Sequence, residues 1–344
     1  MIDKIFSREP DEIVVGDYFY RAQWYEEQHA KYYDIIQHDA QPAFDFAWKN
    51  KSLQGEFDPA LFDEPWITSI KGEDKDPKFA GVINKIATDD KPVMDIASSA
   101  GMGFAPYIIK LNPGKPCLIT DINTEIMKSL RSCINTHDEL SSYNISIAAF
   151  DNLDMPIKDN SLDYITSICG VASSPEKSDD IRKLRLYQPS VGTEKAMSEV
   201  YRVLKPGGYF VTLEPNMECD YDLQKLCYDS HENGKLFGVY PYGEIQAVLE
   251  LLHEESWHDK FAAAGFEIEA EKINYERFSL NRIMAFLHSM TSVHKIHNWE
   301  KANWSDERRA KTIAWNPADY ENDEGEYGID LYQTETLFIL RKPL

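Results

Sequence analysis

The sequence predicts an α/β fold built on a doubly wound, mostly parallel sheet of seven strands. Three observations lead there. Apolar runs of strand length recur at 93–96, 117–121, 145–150, 162–168, 209–213, 266–273 and 336–340. Helical or turn-rich segments separate them, the arrangement that places strands side by side in parallel. The stretch Lys91-Pro-Val-Met-Asp-Ile-Ala-Ser-Ser-Ala-Gly-Met-Gly103 reads as a buried strand, a turn of small residues and a helix starting near Phe104. Such a turn lets backbone approach a ligand closely, with helix N–H groups facing the gap.

Taken in order, residues 1–78 are acidic and rich in aromatics. Between 17 and 37 a helical period shows in Tyr18, Tyr25 and Tyr32, with Trp24, Ile35 and Ile36 beside them. Two Pro-punctuated aromatic stretches follow at 41–48 and 57–66, then a charged turn at 72–77. This predicts an aromatic N-terminal helical cap that packs on the core and lines a pocket with ring faces. Helices are expected at 79–88, at 123–137 with Ile126, Leu130, Cys133 and Ile134 on one face, and at 193–204. A longer one is expected at 242–264, with Ile245, Val248, Leu249 and Leu252 on its apolar face and Gly265 at its end. The expected organisation is a cap at 1–78, a core at 79–274, a helical insertion and possible lid at 275–332, and a last core strand at 333–344. No internal repeat or low-complexity tract interrupts this pattern.

Composition bounds the function. With 344 residues, 43% hydrophobic and 12% aromatic, the chain has ample material for a packed core. Its net charge of −22, from 58 acids against 36 bases, argues against a nucleic-acid footprint or an anionic membrane surface. A small neutral or cationic partner suits it better. No apolar run approaches the ~18 residues of a membrane span, and the N-terminus lacks a signal-peptide pattern, so a cytoplasmic protein is expected. The five cysteines (Cys117, Cys133, Cys169, Cys219, Cys227) form no Cys-x-x-Cys and read as reduced thiols rather than metal ligands.

Four stretches carry the chemistry. Glu199-Val-Tyr-Arg-Val-Leu-Lys-Pro-Gly-Gly208 reads as a helix end, with Pro206 stopping the helix and Gly207-Gly208 supplying positive φ before the next strand. Asp95 ends the first core strand and leads into the small-residue turn. Asp121 ends the second, where an acid can accept both hydroxyls of a ribose or else cap the following helix. Asp151-Asn152 ends the third, followed by Leu-Asp-Met-Pro156 and Asp159-Asn-Ser-Leu-Asp163.

From Lys91 to Phe266 this pattern resembles the class I S-adenosylmethionine-dependent methyltransferases, whose core is a Rossmann-like sheet. The resemblance implies S-adenosylmethionine as cofactor. Carried over, Asp95 orients its methionine end and the backbone of Ala97, Ser99 and Gly101 lies against it; Ala97 and Ser99 stand where the family usually has glycine. Asp121, with Ile122 beside it, takes the ribose; Asp151 accepts from the adenine amino group and the Asn152 backbone meets the ring. Asp163 is expected to be structural. Ser167 opens the loop Ser167-Ile-Cys-Gly-Val171 that faces the methyl. A nicotinamide site would want glycine where Pro106 stands.

Methyl transfer is chiefly a matter of alignment, so the family offers no universal catalytic residue to carry over, and none is assigned. The loop after the fourth strand is not Asn-Pro-Pro-Tyr, which argues against methylation of DNA bases or protein glutamine. Cys169 stands where RNA cytosine-5 enzymes place a nucleophile, but it lacks their neighbouring proline and reads as a core or pocket-lining thiol. Candidate substrate contacts are Cys169, Glu214, His231 and His288; His294 and His297 lie farther along the insertion. The expected function is methyl transfer to a small-molecule acceptor. The alternatives are a non-catalytic cofactor-binding protein, suggested by Ala97 and Ser99, and a protein or RNA methyltransferase. The acceptor and the oligomeric state stay undefined.

Overall fold

The computed structural model describes residues 2–32, 44, 77–98, 103–168, 170–171, 191–215, 257–279 and 328–344. Its strands are β1 (Glu12–Val14), β2 (Asp17–Phe19), β3 (Val93–Ile96), β4 (Cys117–Asp121), β5 (Ile145–Ala149), β6 (Leu162–Ile168), β7 (Leu204–Pro215), β8 (Glu267–Ser279) and β9 (Gly328–Arg341). Its helices are α1 (Gln23–Tyr32), α2 (Pro77–Thr88), α3 (Ala105–Leu111), α4 (Thr124–Thr136), α5 (Val191–Val203) and α6 (Trp257–Ala264). All nine strands join one sheet in the order β1-β2-β5-β4-β3-β6-β7-β9-β8. From β2 to β7 neighbours are parallel, while β1/β2, β7/β9 and β8/β9 are antiparallel.

The seven expected strands are all present, and the correction is at the edge. The sheet has nine strands because β1 and β2 extend it where a helical cap was expected. Residues 17–19 are extended, and the helical period is realised only from Gln23. Val15 and Gly16, at φ 50° and 86°, form the two-residue reversal between β1 and β2. At the other edge β8 runs to Ser279 and β9 begins at Gly328, so residues 275–279 and 328–332 of the expected insertion are strand, and the rest of it, 280–327, lies outside the described residues. Most of the aromatic stretches, residues 72–76 of the expected turn and residues 242–256 of the long helix also lie outside them, while Pro77 opens α2.

Strand alternation divides the apolar residues between two cores, as a sheet covered on both faces requires. Val93, Cys117, Ile119, Ile147, Tyr164, Val211 and Ile339 pack in one core with Phe79, Ile83, Ile108 and Leu130. Met94, Ile96, Leu118, Ile165, Phe210 and Phe338 pack in the other with Met197, Val200 and Phe261. Cys117 and Cys133 are buried and outside any disulfide, and burial pushes the pKa of the Cys117 thiol well above its ordinary value.

The Lys-Pro-Gly-Gly turn works differently from expectation. Only Gly207 takes a positive φ, 77°. Gly208 is required by space, because a Cβ there would lie 2.9 Å from the Lys205 carbonyl and 3.0 Å from that of Asp163. Lys342 fastens the turn, its Nζ donating to the carbonyls of Tyr201 (2.7 Å) and Leu204 (2.8 Å) at the end of α5. Asp163 pairs with Lys91 at 3.1 Å and Lys205 at 2.5 Å, far from the carboxyl ends of the strands.

One buried ion pair holds the edge extension. Asp17 is 1% exposed and accepts from Arg131 Nε (2.5 Å) and Nη2 (2.7 Å) and from the Ile147 amide (2.9 Å). Removing one partner from such a pair strands a buried charge, at a cost of about 3 kcal/mol. Arg131→Ala is therefore expected to lower urea-unfolding stability by about that much. A loss below about 1 kcal/mol would mean β2 is held by strand pairing alone.

Candidate functional site

The chain order β3, β4, β5 runs outward to one side of β3, and β6 returns to its other side. That reversal opens a crevice beyond the carboxyl ends of β3 and β6, the place where doubly wound sheets bind ligands. Backbone bonds continue past the strand ends and fix the rim: Ser98 N donates to Thr120 O at 2.9 Å, and Phe150 N to Asp121 O at 3.0 Å.

Asp95 is wholly buried at the end of β3. Its carboxylate accepts from Thr166 Oγ1 of β6 (2.6 Å) and from the amides of Phe104 (3.4 Å) and Ala105 (3.1 Å) that open α3. Burial raises its pKa above the ordinary carboxylate value, although these donors pull the other way. Gly103 is needed beside it, since a Cβ would run into the carboxylate. Asp95 thus shapes the loop and caps its helix from within.

Ala97 stands at φ 50°, the left-handed conformation that glycine adopts at no steric cost. The chain keeps the turn despite the residue change. Gly170, in the loop after β6, faces it: a Cβ there would collide with Ser167 Oγ and lie 3.1 Å from Ala97 Cβ. Ser167 is fully buried and its Oγ accepts from Gly170 N at 2.9 Å, so its hydroxyl shapes this loop.

Asp121 is partly exposed at the end of β4 and accepts from Asn123 N at 3.0 Å. The helix-cap alternative falls to a neighbour, because Asn123 Oδ1 accepts from Glu125 N and Ile126 N, both at 3.1 Å. Ile122 lies partly buried in the same turn. Asp151 follows β5 and is 8% exposed. Its Oδ1 accepts from Leu153 N (2.8 Å) and its Oδ2 from Trp24 Nε1 (3.2 Å). The next residue carries an orphan: Asn152 Oδ1 is one of four buried side-chain polar atoms among the described residues with no hydrogen-bond partner. Buried polar groups are rarely left so, and an acceptor beside a carboxylate suits the amino edge of a purine.

Glu214 is completely buried near the carboxyl end of β7. It accepts from Thr212 Oγ1 at 2.6 Å and from Val171 N at 3.4 Å, tying β7 to the loop after β6. The structure therefore gathers Asp95, Ala97, Asp121, Ile122, Asp151, Asn152, Ser167 and Glu214 along the carboxyl ends of neighbouring strands. Ser99, Gly101, Cys169, His231, His288, His294 and His297 lie outside the described residues. Sequence reasoning assigned no role to Thr166 and did not link Trp24 to Asp151; each contact joins residues far apart in the chain, so no local pattern signals it. Among the described residues no cluster of His, Cys, Asp or Glu fits a metal ion.

A family model described as a methyltransferase domain matches residues 87–267, more than half of the chain. The chain belongs to the class I methyltransferases. S-adenosylmethionine is their cofactor. The ubiquinone/menaquinone biosynthesis C-methyltransferase UbiE of Rickettsia akari (strain Hartford) is 27% identical over 135 residues, 38% of this chain and 47% of that protein. The chain thus spans about half the length of the curated relatives it matches. Among solved structures, a SAM-dependent methyltransferase of Methanosarcina mazei overlays with a TM-score of 0.40 at 14% identity, covering 76% of this chain and 97% of the other. The YcgJ protein from Bacillus subtilis gives 0.42 at 17%, covering 77% and 97%.

A methyl side chain in left-handed backbone costs roughly 1 kcal/mol, and glycine gives back part of that gain through its freer unfolded state. Ala97→Gly is expected to raise unfolding stability by about 0.5 kcal/mol. Ala97→Val, β-branched at positive φ and facing Gly170, is expected to lower it by about 2 kcal/mol in the same denaturant titration. Equal stabilities for the three would show that the turn relaxes around residue 97.

Proposed function

We propose that this methyltransferase acts on a small-molecule acceptor held over the ends of β6 and β7, beside a cofactor that lies across β3, β4 and β5. The observation that carries the reading is the row of acids Asp95, Asp121 and Asp151 at the ends of three adjacent parallel strands. Asp121 would hold the ribose hydroxyls, and Asp151 with Asn152 the adenine edge. Asp95 would act through the loop it shapes, presenting the Ala97 backbone to the methionine end. The orphan Asn152 Oδ1 fits such a ligand.

When bound, S-adenosylmethionine supplies a sulfonium methyl for in-line displacement, leaving a thioether that needs no proton. The protein's own part is alignment, exclusion of water, and charge. Ser167, Gly170 and Val171 would form the wall between the two ligands. Glu214, anchored by Thr212 and Val171, would meet the acceptor and take its proton if the acceptor atom carries one. A net charge of −22 favours a small acceptor over nucleic acid. The relatives named as quinone-biosynthesis C-methyltransferases lend support to a small organic acceptor and carbon methylation, at 27% identity over about half their length. The non-catalytic alternative drew on the altered glycines, and Ala97 keeping the glycine-like turn weakens it.

Calorimetric titration with S-adenosylhomocysteine tests the cofactor half. Asp121→Ala and Asp151→Ala are each expected to weaken binding by about 1–3 kcal/mol, a charge-assisted hydrogen-bonding group apiece. Undiminished binding by both would place the cofactor elsewhere. For the acceptor half, Glu214→Gln should lower kcat/KM for a responding acceptor at least about tenfold while leaving homocysteine-product affinity unchanged. Full activity in that variant would remove Glu214 from the acceptor site.

A further inference from the structure

The N-terminal segment does more than widen the sheet. Because β2 runs parallel to β5, its chain emerges at the same edge where β5 delivers Asp151. Tyr20 N extends the pairing to Ala149 O at 2.8 Å, and α1 starts three residues later. That path brings the Trp24 indole N–H to Asp151 Oδ2 at 3.2 Å. Earlier residues clasp the far side of the same turn. Ser7 N donates to Pro156 O at 2.9 Å, Lys158 N to Ile5 O at 2.8 Å, and Phe6 bridges Ile157. Arg8 reaches Asp154 at 2.9 Å. The loop that follows β5 is therefore gripped at both ends by residues 5–24, and the acid at its head is oriented by one of them.

Within that grip Asp151 has a donor on each oxygen, Leu153 N on Oδ1 and Trp24 Nε1 on Oδ2. The neighbouring Asn152 Oδ1 is buried with no partner among the described residues. An exocyclic purine amino group carries N–H donors that suit such an amide oxygen. A partly exposed indole alongside offers an apolar face to a flat ring.

We propose that Trp24, Asp151 and Asn152 form one adenine-reading unit. Trp24 is its positioning residue, fixing Asp151 through the indole N–H and becoming covered when the nucleoside binds. Asn152 Oδ1 accepts from the adenine amino group. This rests on the adenosyl pocket proposed above.

The test compares S-adenosylhomocysteine with S-inosylhomocysteine, which has a carbonyl in place of the amino group, by calorimetry on the full chain. Wild type should favour the adenosyl ligand by about tenfold or more. Trp24→Phe keeps an aromatic ring but lacks the donor; it should weaken the adenosyl ligand about five- to tenfold and narrow the preference. Little further loss is expected from Trp24→Phe in an Asp151→Ala background. Hydroxyl-radical footprinting of the wild-type protein supplies a second reading that needs no variant: saturating S-adenosylhomocysteine should at least halve oxidation of Trp24. Equal losses for both ligands, or unchanged oxidation, would overturn the proposal by making Trp24 packing alone. If Trp24→Phe binds normally while Asp151→Ala does not, this unit fails and the pocket stands. If wild type binds neither ligand, the pocket itself is refuted and the unit with it.

Discussion

A single buried carboxylate organises the site. Asp95 ends β3, caps α3 through the amides of Phe104 and Ala105, and crosses to β6 through the Thr166 hydroxyl. Its backbone carbonyl accepts from Ser98 and Thr120 as well. Strand, loop, helix and neighbouring strand therefore meet on one residue with no exposed surface. Burying an acid is costly unless its lone pairs are filled, and the donors that fill them come from both sides of the switch point. The close approach of Gly103 to the carboxylate, and of Gly170 to Ser167 and Ala97, follows from packing so many groups around it.

Outward from that point the acids at the strand ends are less completely buried than Asp95. Asp95 is inaccessible, Asp121 stands partly open at the next strand end, and Asp151 sits at the third beside an unsatisfied amide oxygen. That difference separates a residue that builds the crevice from residues able to meet a ligand. The packing around Asp95 also explains how Ala97 serves in a left-handed turn that favours glycine. The surrounding hydrogen bonds over-determine the turn, so the modest strain of one methyl group at positive φ is tolerated.

The edge extension shows how local pattern and long-range pairing compete. Residues 17–37 carry a seven-residue aromatic spacing that reads as helix, yet Asp17–Phe19 is a strand. Pairing with β5 and the Asp17–Arg131 ion pair decide the matter, and neither partner is within 100 residues of Asp17 in sequence. The short Val15-Gly16 reversal gave only a faint signal, because valine seldom takes a positive φ. Trp24 was legible as an aromatic of the cap; its bond to Asp151 was not, for the same reason.

The sequence by itself determined the core strands, their alternation with helices, the acids at three strand ends and the family to which the chain belongs. Those features are written in local periodicity, in turn-forming residues and in spacings along the chain. Only the tertiary structure decided that Asp95 is spent internally, that Asn123 and not Asp121 caps α4, and that Gly208 is required by space while Gly207 is required by φ. It also decided that the N-terminal segment joins the sheet. The physical reason is common to all of these. A hydrogen bond, an ion pair or a steric limit belongs to two groups at once, and the second group lies on an element that only folding brings near.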